Sequence, residues 1–67
     1  MKYNIIEINE DNRTVRVSVN QQEAKIIFHE SGEVDVESDT LQLEEIQELQ
    51  MEACLDEHLS NLFPCED

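Results

Sequence analysis

The chain has 67 residues and a formal net charge of −13, with four Lys or Arg residues against 17 Asp or Glu. A chain of this length makes one small domain at most, and so acidic a chain lacks the basic footprint that direct nucleic-acid binding requires. Its 39% hydrophobic content, with one Gly and one Pro, favours a folded domain over a disordered segment.

The negative charge is confined to the second part of the chain. Residues 1–25 contain four Lys or Arg and four Asp or Glu, whereas residues 26–67 contain thirteen Asp or Glu and no Lys or Arg. A surface of this kind repels nucleic acid and anionic membranes and attracts cationic partners. The same charge opposes compact folding through self-repulsion, so we expect a dimer or a basic partner to offset it.

The sequence also suggests a compartment. It starts without a basic region followed by a long apolar run, so we expect no signal peptide. No apolar stretch approaches the ~20 residues that a membrane-spanning helix needs. Cys54 and Cys65 therefore indicate thiols rather than a disulfide framework, and we expect a cytoplasmic protein.

Four strands are predicted in the first half of the chain. Residues 14–20, 24–29 and 33–37 alternate between apolar and polar side chains, which is typical of half-buried strands. Residues 3–8 have a strand-like composition but break the alternation at Ile5 and Ile6, which predicts a bulge or burial on both faces.

The segments between these strands have the composition of turns. They are residues 9–12, 20–22 and 31–32, which are rich in Asn, Gln, Ser and Gly. Such short connections place consecutive strands side by side in antiparallel order, so a four-stranded meander is predicted.

From Leu41 to about residue 62 the apolar period becomes helical, and Pro64 lies beyond the end. Asp39 is the expected N-cap, for which Ser38 or Thr40 could substitute. This helix has two apolar bands, of which the first consists of Leu43, Ile46, Leu49 and Ala53 and the second of Met51, Leu55, Leu59 and Leu62. The sheet can cover only one band. Three interpretations remain open: a helix bent around one core, a break near residues 52–54, or a second band that docks on another molecule.

These elements predict an α+β fold, a four-stranded antiparallel β-meander with one C-terminal helix packed on one face, in a single domain over residues 1–67. The predicted core consists of Ile6, Ile8, Val15, Val17, Val19, Ile26, Phe28, Val34, Val36, Ile46, Leu49 and Ala53.

Two regular rows of carboxylates accompany this fold. Glu33, Asp35 and Glu37 recur every second residue on a strand, about 6.6–7 Å apart. Glu45, Glu48, Glu52 and Asp56 follow a narrow arc of the helix, with neighbours about 5–6 Å apart at Cβ. A nucleic-acid backbone presents charge in the same way, although an acidic surface that serves only solubility is the simpler alternative.

Other chemistry fits the sequence less well. Paired carboxylates perform acid–base catalysis when one lies in an apolar pocket, and these acids lie on predicted polar faces, so we expect no enzyme. The acids that begin at Asp35 miss the Gly and Glu that a calcium loop requires at its sixth and twelfth positions. Cys54, His58, Cys65 and His29 match no established zinc spacing, so we expect no metal or cofactor.

In size, acidity and strand-plus-helix build, the chain resembles the small inhibitors that bacteriophages and mobile elements make, such as anti-restriction and anti-CRISPR proteins. The acidic rows over residues 33–37 and 44–57 carry this resemblance. It implies an inhibitor that imitates nucleic acid and acts in the host cytoplasm.

Two functional hypotheses follow. The first is a non-enzymatic inhibitor that binds a basic nucleic-acid-binding groove on a protein target, with seven carboxylates in place of phosphates: Glu33, Asp35, Glu37, Glu45, Glu48, Glu52 and Asp56. The second is a homodimer or adaptor whose working surface is the apolar stripe of Met51, Leu55, Leu59 and Leu62. Neither hypothesis includes contact with nucleic acid or membrane.

Overall fold

A computed structural model describes residues 3–63 and confirms the predicted α+β architecture. Four strands form one antiparallel sheet in the order β1-β2-β3-β4, and a helical layer follows. The strands are β1 (Asn4–Asn9), β2 (Thr14–Val19), β3 (Gln22–Phe28) and β4 (Val34–Glu37). The helices are α1 (Leu43–Leu55) and α2 (Glu57–Leu62). Pro64 and Cys65 lie outside the described residues.

The alternation of the strands sets two distinct faces on the sheet. Val15, Val17 and Val19 of β2 are completely buried, and Ile26 of β3, which pairs with Val15, is buried on the same side. We call this the inner face of the sheet, and the opposite side, which includes Arg16, the outer face.

The connections between strands are tight hairpins. Asn20 and Gln21 both have positive φ angles, of 51° and 67°, which is the geometry of a two-residue hairpin turn that follows the twist of the strands. Between β3 and β4 the chain reverses over His29–Glu33, where Gly32 has a φ of 97° and donates from its N–H to the carbonyl of His29. Such a φ suits glycine, because it has no Cβ.

Strand β1 contains the predicted bulge, and it also contains the main errors in the predicted core. The pairing with β2 shifts register between Ile5 and Glu7. Ile6 and Ile8 were expected in the core, but their exposed fractions are 51% and 36%. The reason is position: β1 is an edge strand, and α1 packs along β4 at the other edge of the sheet.

The connection from β4 to α1 differs from the expected N-cap. Helix α1 begins after Gln42, whose side chain makes no capping hydrogen bond, so the prediction of Asp39 as N-cap is wrong. Ser38 instead organises the connection, because its Oγ accepts from the N–H groups of Thr40 at 3.3 Å and Leu41 at 3.2 Å. This turn directs Leu41 into the core before the helix begins.

The helical layer is two helices and not one, which decides between the open interpretations. The chain leaves helical geometry at Asp56, where φ is −76° and ψ is 109°, a few residues beyond the expected break. Leu49 and Ala53 of α1 are completely buried, and the change of direction also buries Leu59 of α2 and Phe63. Each helix therefore contributes its own apolar side to a single core.

Candidate functional site

The outer face of the sheet has charges of both signs. Arg16 donates from Nε to Glu23 at 2.9 Å and from Nη1 to Glu7 at 3.0 Å, so it joins three strands. These hydrogen bonds hold the pKa of the Arg16 guanidinium above its usual value, and the acceptor at Glu23 is the largest cause. Lys25 pairs in register with Arg16 on one side and Glu37 on the other. Two cations therefore lie among four carboxylates on this face, which are Glu7, Glu23, Asp35 and Glu37.

Arg13 connects the first hairpin to the end of the helical layer. Its Nε donates to the carbonyl oxygen of Phe28 at 2.7 Å, and its guanidinium carbon lies 5.8 Å from the ring centroid of Phe63. The Phe63 ring in turn stacks on Phe28 with centroids 5.1 Å apart. Arg13 therefore fastens the end of the helical layer to the first hairpin, which stabilises the fold.

The strand carboxylates lie among the groups of the sheet. Val36 faces the core, so Asp35 and Glu37, its neighbours in β4, project from the outer face. Asp35 Oδ2 lies 2.7 Å from Nε2 of His29. Glu33 precedes β4 and is exposed, and its carbonyl accepts from the N–H of His29 at 2.9 Å. The strand row therefore lies on the face opposite the helices and does not share a surface with the carboxylates of α1.

The helix carboxylates lie in a different environment. At about 100° per residue, Glu44, Glu45, Glu48 and Glu52 fall within an arc of about 100° on α1. Glu44 and Glu48 are exposed, whereas Glu45 and Glu52 are partly buried. Neither α1 nor α2 contains a Lys or Arg. We call these four residues the glutamate row. Glu44 is not among the binding residues predicted from the sequence, but it belongs to the row by its spacing of four from Glu48.

Asp56 has a structural role in addition to the partner-binding role that the sequence predicts for it. Its Oδ1 accepts from the N–H of Leu59 at 3.2 Å and caps α2, while its Oδ2 accepts from the hydroxyl of Tyr3 at 2.5 Å. The hydrogen bond from Tyr3 is the largest cause of a pKa for Asp56 below its usual value. Burial, followed by this hydrogen bond, raises the pKa of Tyr3. Both oxygens of Asp56 are engaged within the fold.

Tyr3→Phe should lower the free energy of unfolding by about 1.5 kcal/mol, because it removes a hydrogen bond to a charged acceptor. The folded-state pKa of Asp56 is lowered, so its contribution is complete above the unfolded pKa of about 4 and is lost as the pH falls through the folded value. The pKa of Tyr3 is raised, so its contribution is complete below about pH 10 and is lost above it. Urea unfolding should give a difference in the free energy of unfolding between wild type and variant that is constant between about pH 4 and pH 10. This difference should become smaller below and above that range. A difference independent of pH down to pH 2 would contradict the assignment.

The predicted dimer face is not one surface. Leu59 is completely buried, and Leu62 is partly buried against the core. Met51 and Leu55 remain outside, with exposed fractions of 66% and 74%. The prediction of a stripe through all four residues is wrong, because the break at Asp56 turns its second half inward.

The described residues do not form a cluster of metal ligands. Cys54 is exposed on α1, and over residues 3–63 no group of three or more His, Cys, Asp or Glu side chains is arranged to hold an ion. Cys65, the other thiol considered for zinc, lies outside this range.

No family model, no curated protein and no solved structure matches the chain. None of the described helices has the length and apolar character that crossing a membrane requires.

Proposed function

We propose that this protein is a non-enzymatic inhibitor that binds a basic nucleic-acid-binding protein through the glutamate row of α1. The observation that carries the proposal is the division of charge between the two layers. Arg16 and Lys25 lie among carboxylates on the outer face of the sheet, whereas the helices contain acidic residues and no Lys or Arg. The helical layer is thus the side that a cationic groove would attract.

The density of charge along α1 also supports the proposal. Four carboxylates between Glu44 and Glu52 span about 12 Å at a rise of 1.5 Å per residue. Their mean spacing along the axis is about 4 Å, close to the ~3.4 Å per phosphate of one DNA strand. The individual gaps are about 1.5, 4.5 and 6 Å, so α1 resembles a nucleic-acid strand in charge density and not in regular spacing.

A binding role suits these carboxylates better than catalysis. Catalytic acid–base pairs require one carboxyl in an apolar pocket that keeps it protonated. Glu44 and Glu48 are instead exposed on the outer surface of a helix. We therefore propose that these carboxylates bind cations of the target. Association should be fast, and its rate should fall as salt is added.

The proposal predicts that immobilised protein captures a nucleic-acid-binding protein from host lysate at low salt, and that short duplex DNA or RNA releases it. The control is sodium sulfate at an equal concentration of negative charge, because it screens electrostatic attraction but is not a nucleic-acid polymer that could compete for the groove. Release by the nucleic acid at a concentration where sulfate has no effect is the expected result. A captured protein that stays bound while saturated with nucleic acid would contradict the proposal.

A further inference from the structure

Three large apolar side chains are exposed on the outside of α1. Leu43, Met51 and Leu55 have exposed fractions of 68%, 66% and 74%. At about 100° per residue they lie within an arc of about 120°, on the side of the helix away from Leu49 and Ala53. We call these three residues the outer stripe. Met51 and Leu55 are neighbours at a spacing of four residues, and Leu43 lies about 12 Å from Met51 along the axis, with the exposed Gln47 between them.

The fold does not need the outer stripe. The inward side of α1 already supplies Leu49 and Ala53 to the core, and both are completely buried. Because Asp56 ends the helix, Leu59 reaches the core from α2, and the stripe stops at Leu55. The exposed apolar area therefore suits a partner rather than the interior.

The charges beside the stripe select the kind of partner. The glutamate row overlaps one side of it: Glu44 lies at an angle between those of Met51 and Leu55, Glu48 lies about 20° beyond Leu55, and both carboxylates are exposed. A second copy of the chain would bring a further net charge of −13, and a two-fold antiparallel pairing of α1 would place Glu48 against its own counterpart. Like charges in contact oppose such an interface. A partner with Lys or Arg beside its apolar residues would instead meet complementary charge.

We propose that the outer stripe and the glutamate row together form a docking surface for a basic amphipathic helix of a protein partner. The inference rests on the proposed function and specifies the target: the cationic groove should include a helix with apolar side chains bordered by Lys or Arg. Such a helix would place its apolar side chains on Leu43, Met51 and Leu55 and its cations on Glu44 and Glu48. The two helices would pack side by side, so the anchors of the partner helix should recur every three or four residues.

A synthetic probe tests this surface directly. The probe is an amidated Leu/Lys peptide of about 18 residues with every Leu on one helical side. A peptide of the same composition in scrambled order has the same charge but no apolar side. We expect the first to bind at least about tenfold more tightly than the second at about 0.15 M NaCl, because only the first can bury the outer stripe. Equal affinities would overturn the proposal.

Two variants locate the site on the protein. Met51→Gln/Leu55→Gln should weaken binding of the amphipathic peptide about tenfold or more. Ile6→Gln is the matched control, since Ile6 is 51% exposed but lies on β1 in the neutral half of the chain. Ile6→Gln should leave the affinity within about twofold. An equal loss in both variants would overturn the proposal, because it would show unspecific adhesion to exposed apolar groups.

The exposed thiol of Cys54 provides a second readout, since it lies on α1 within one turn of both Met51 and Leu55. In a Cys65→Ser background, the amphipathic peptide should slow alkylation of Cys54 by iodoacetamide at least about fivefold, whereas the scrambled peptide at equal concentration should not. Sedimentation of the protein without peptide tests the remaining alternative, in which a second copy of the chain occupies the surface. A dimer that Met51→Gln/Leu55→Gln dissociates would make the second copy the partner and overturn the proposal.

These results separate the docking surface from the proposed inhibition. If nucleic acid releases the captured target but both peptides bind equally, the docking surface is wrong and inhibition by charge alone stands. If the amphipathic peptide binds the stripe but target and nucleic acid bind together, the inhibition is wrong and the docking surface stands.

Discussion

Replacing Leu59 by alanine should lower the free energy of unfolding by about 3 kcal/mol, whereas the same change at Leu55 should alter it by less than about 0.5 kcal/mol. The two leucines are four residues apart and would share a face on a continuous helix. Because α1 ends before Asp56, Leu59 is completely buried and Leu55 is 74% exposed. Urea unfolding followed by far-ultraviolet circular dichroism measures both values.

A milder substitution at Leu59 provides the same test if the alanine variant does not fold. A domain of this size has only a few kcal/mol of stability, so Leu59→Ala could leave little folded protein. Leu59→Met preserves most of the volume and should cost less than about 1.5 kcal/mol, still more than Leu55→Met. Equal losses at the two positions would contradict the different burial of Leu55 and Leu59 that the break at Asp56 produces.

Neutralising the glutamate row should produce the largest loss of binding. Glu44→Gln/Glu48→Gln should weaken binding to the captured target at least about tenfold, mainly through faster dissociation, because both carboxylates would contact target cations. It should also reduce the dependence of affinity on salt. Surface plasmon resonance at two or more salt concentrations measures each quantity.

The control for this variant keeps the same net charge. Glu10→Gln/Glu30→Gln removes two exposed carboxylates from the hairpin turns. It should slow association slightly, since steering depends on total charge, and leave dissociation unchanged. If this control weakens binding as much as the α1 variant does, net charge and not the glutamate row determines the affinity.

Much of the sheet could be predicted from the sequence, because strand signals are local. The two-residue alternation of Val15, Val17 and Val19 identifies a strand and its buried face, and the broken alternation at Ile5–Ile6 marks the bulge. Alternation does not reveal how far the opposite layer extends. Ile8 pairs with the buried Val15, yet it is partly exposed because β1 lies at the edge away from α1.

The helical layer illustrates a different limit. Two apolar bands on one helix indicate that a straight helix cannot bury both, but they do not distinguish a bend, a break or a band that docks on another molecule. The place of the break depends on local capping: Asp56 is followed by Glu57 and caps the N–H of Leu59 three residues on, a pattern that the sequence contains. The hydrogen bond from Tyr3 adds a contact 53 positions away, which no local pattern reveals.

The candidate site was predictable in composition but not in arrangement. The absence of Lys and Arg after residue 25 is visible in the sequence. Which carboxylates lie together depends on how the layers stack, and stacking separates Asp35 from Glu48. Strand pairing then places Lys25 beside Glu37, which changes the character of the strand row.

The most direct test of the central claim is an equilibrium titration with the captured target and a nucleic acid that it binds. The glutamate row is proposed to occupy the same groove as the phosphates, so the apparent Kd of the target for this protein should rise in proportion to the nucleic-acid concentration, without limit. An apparent Kd that levels off, with all three molecules in one complex, would show that the carboxylates of α1 bind elsewhere.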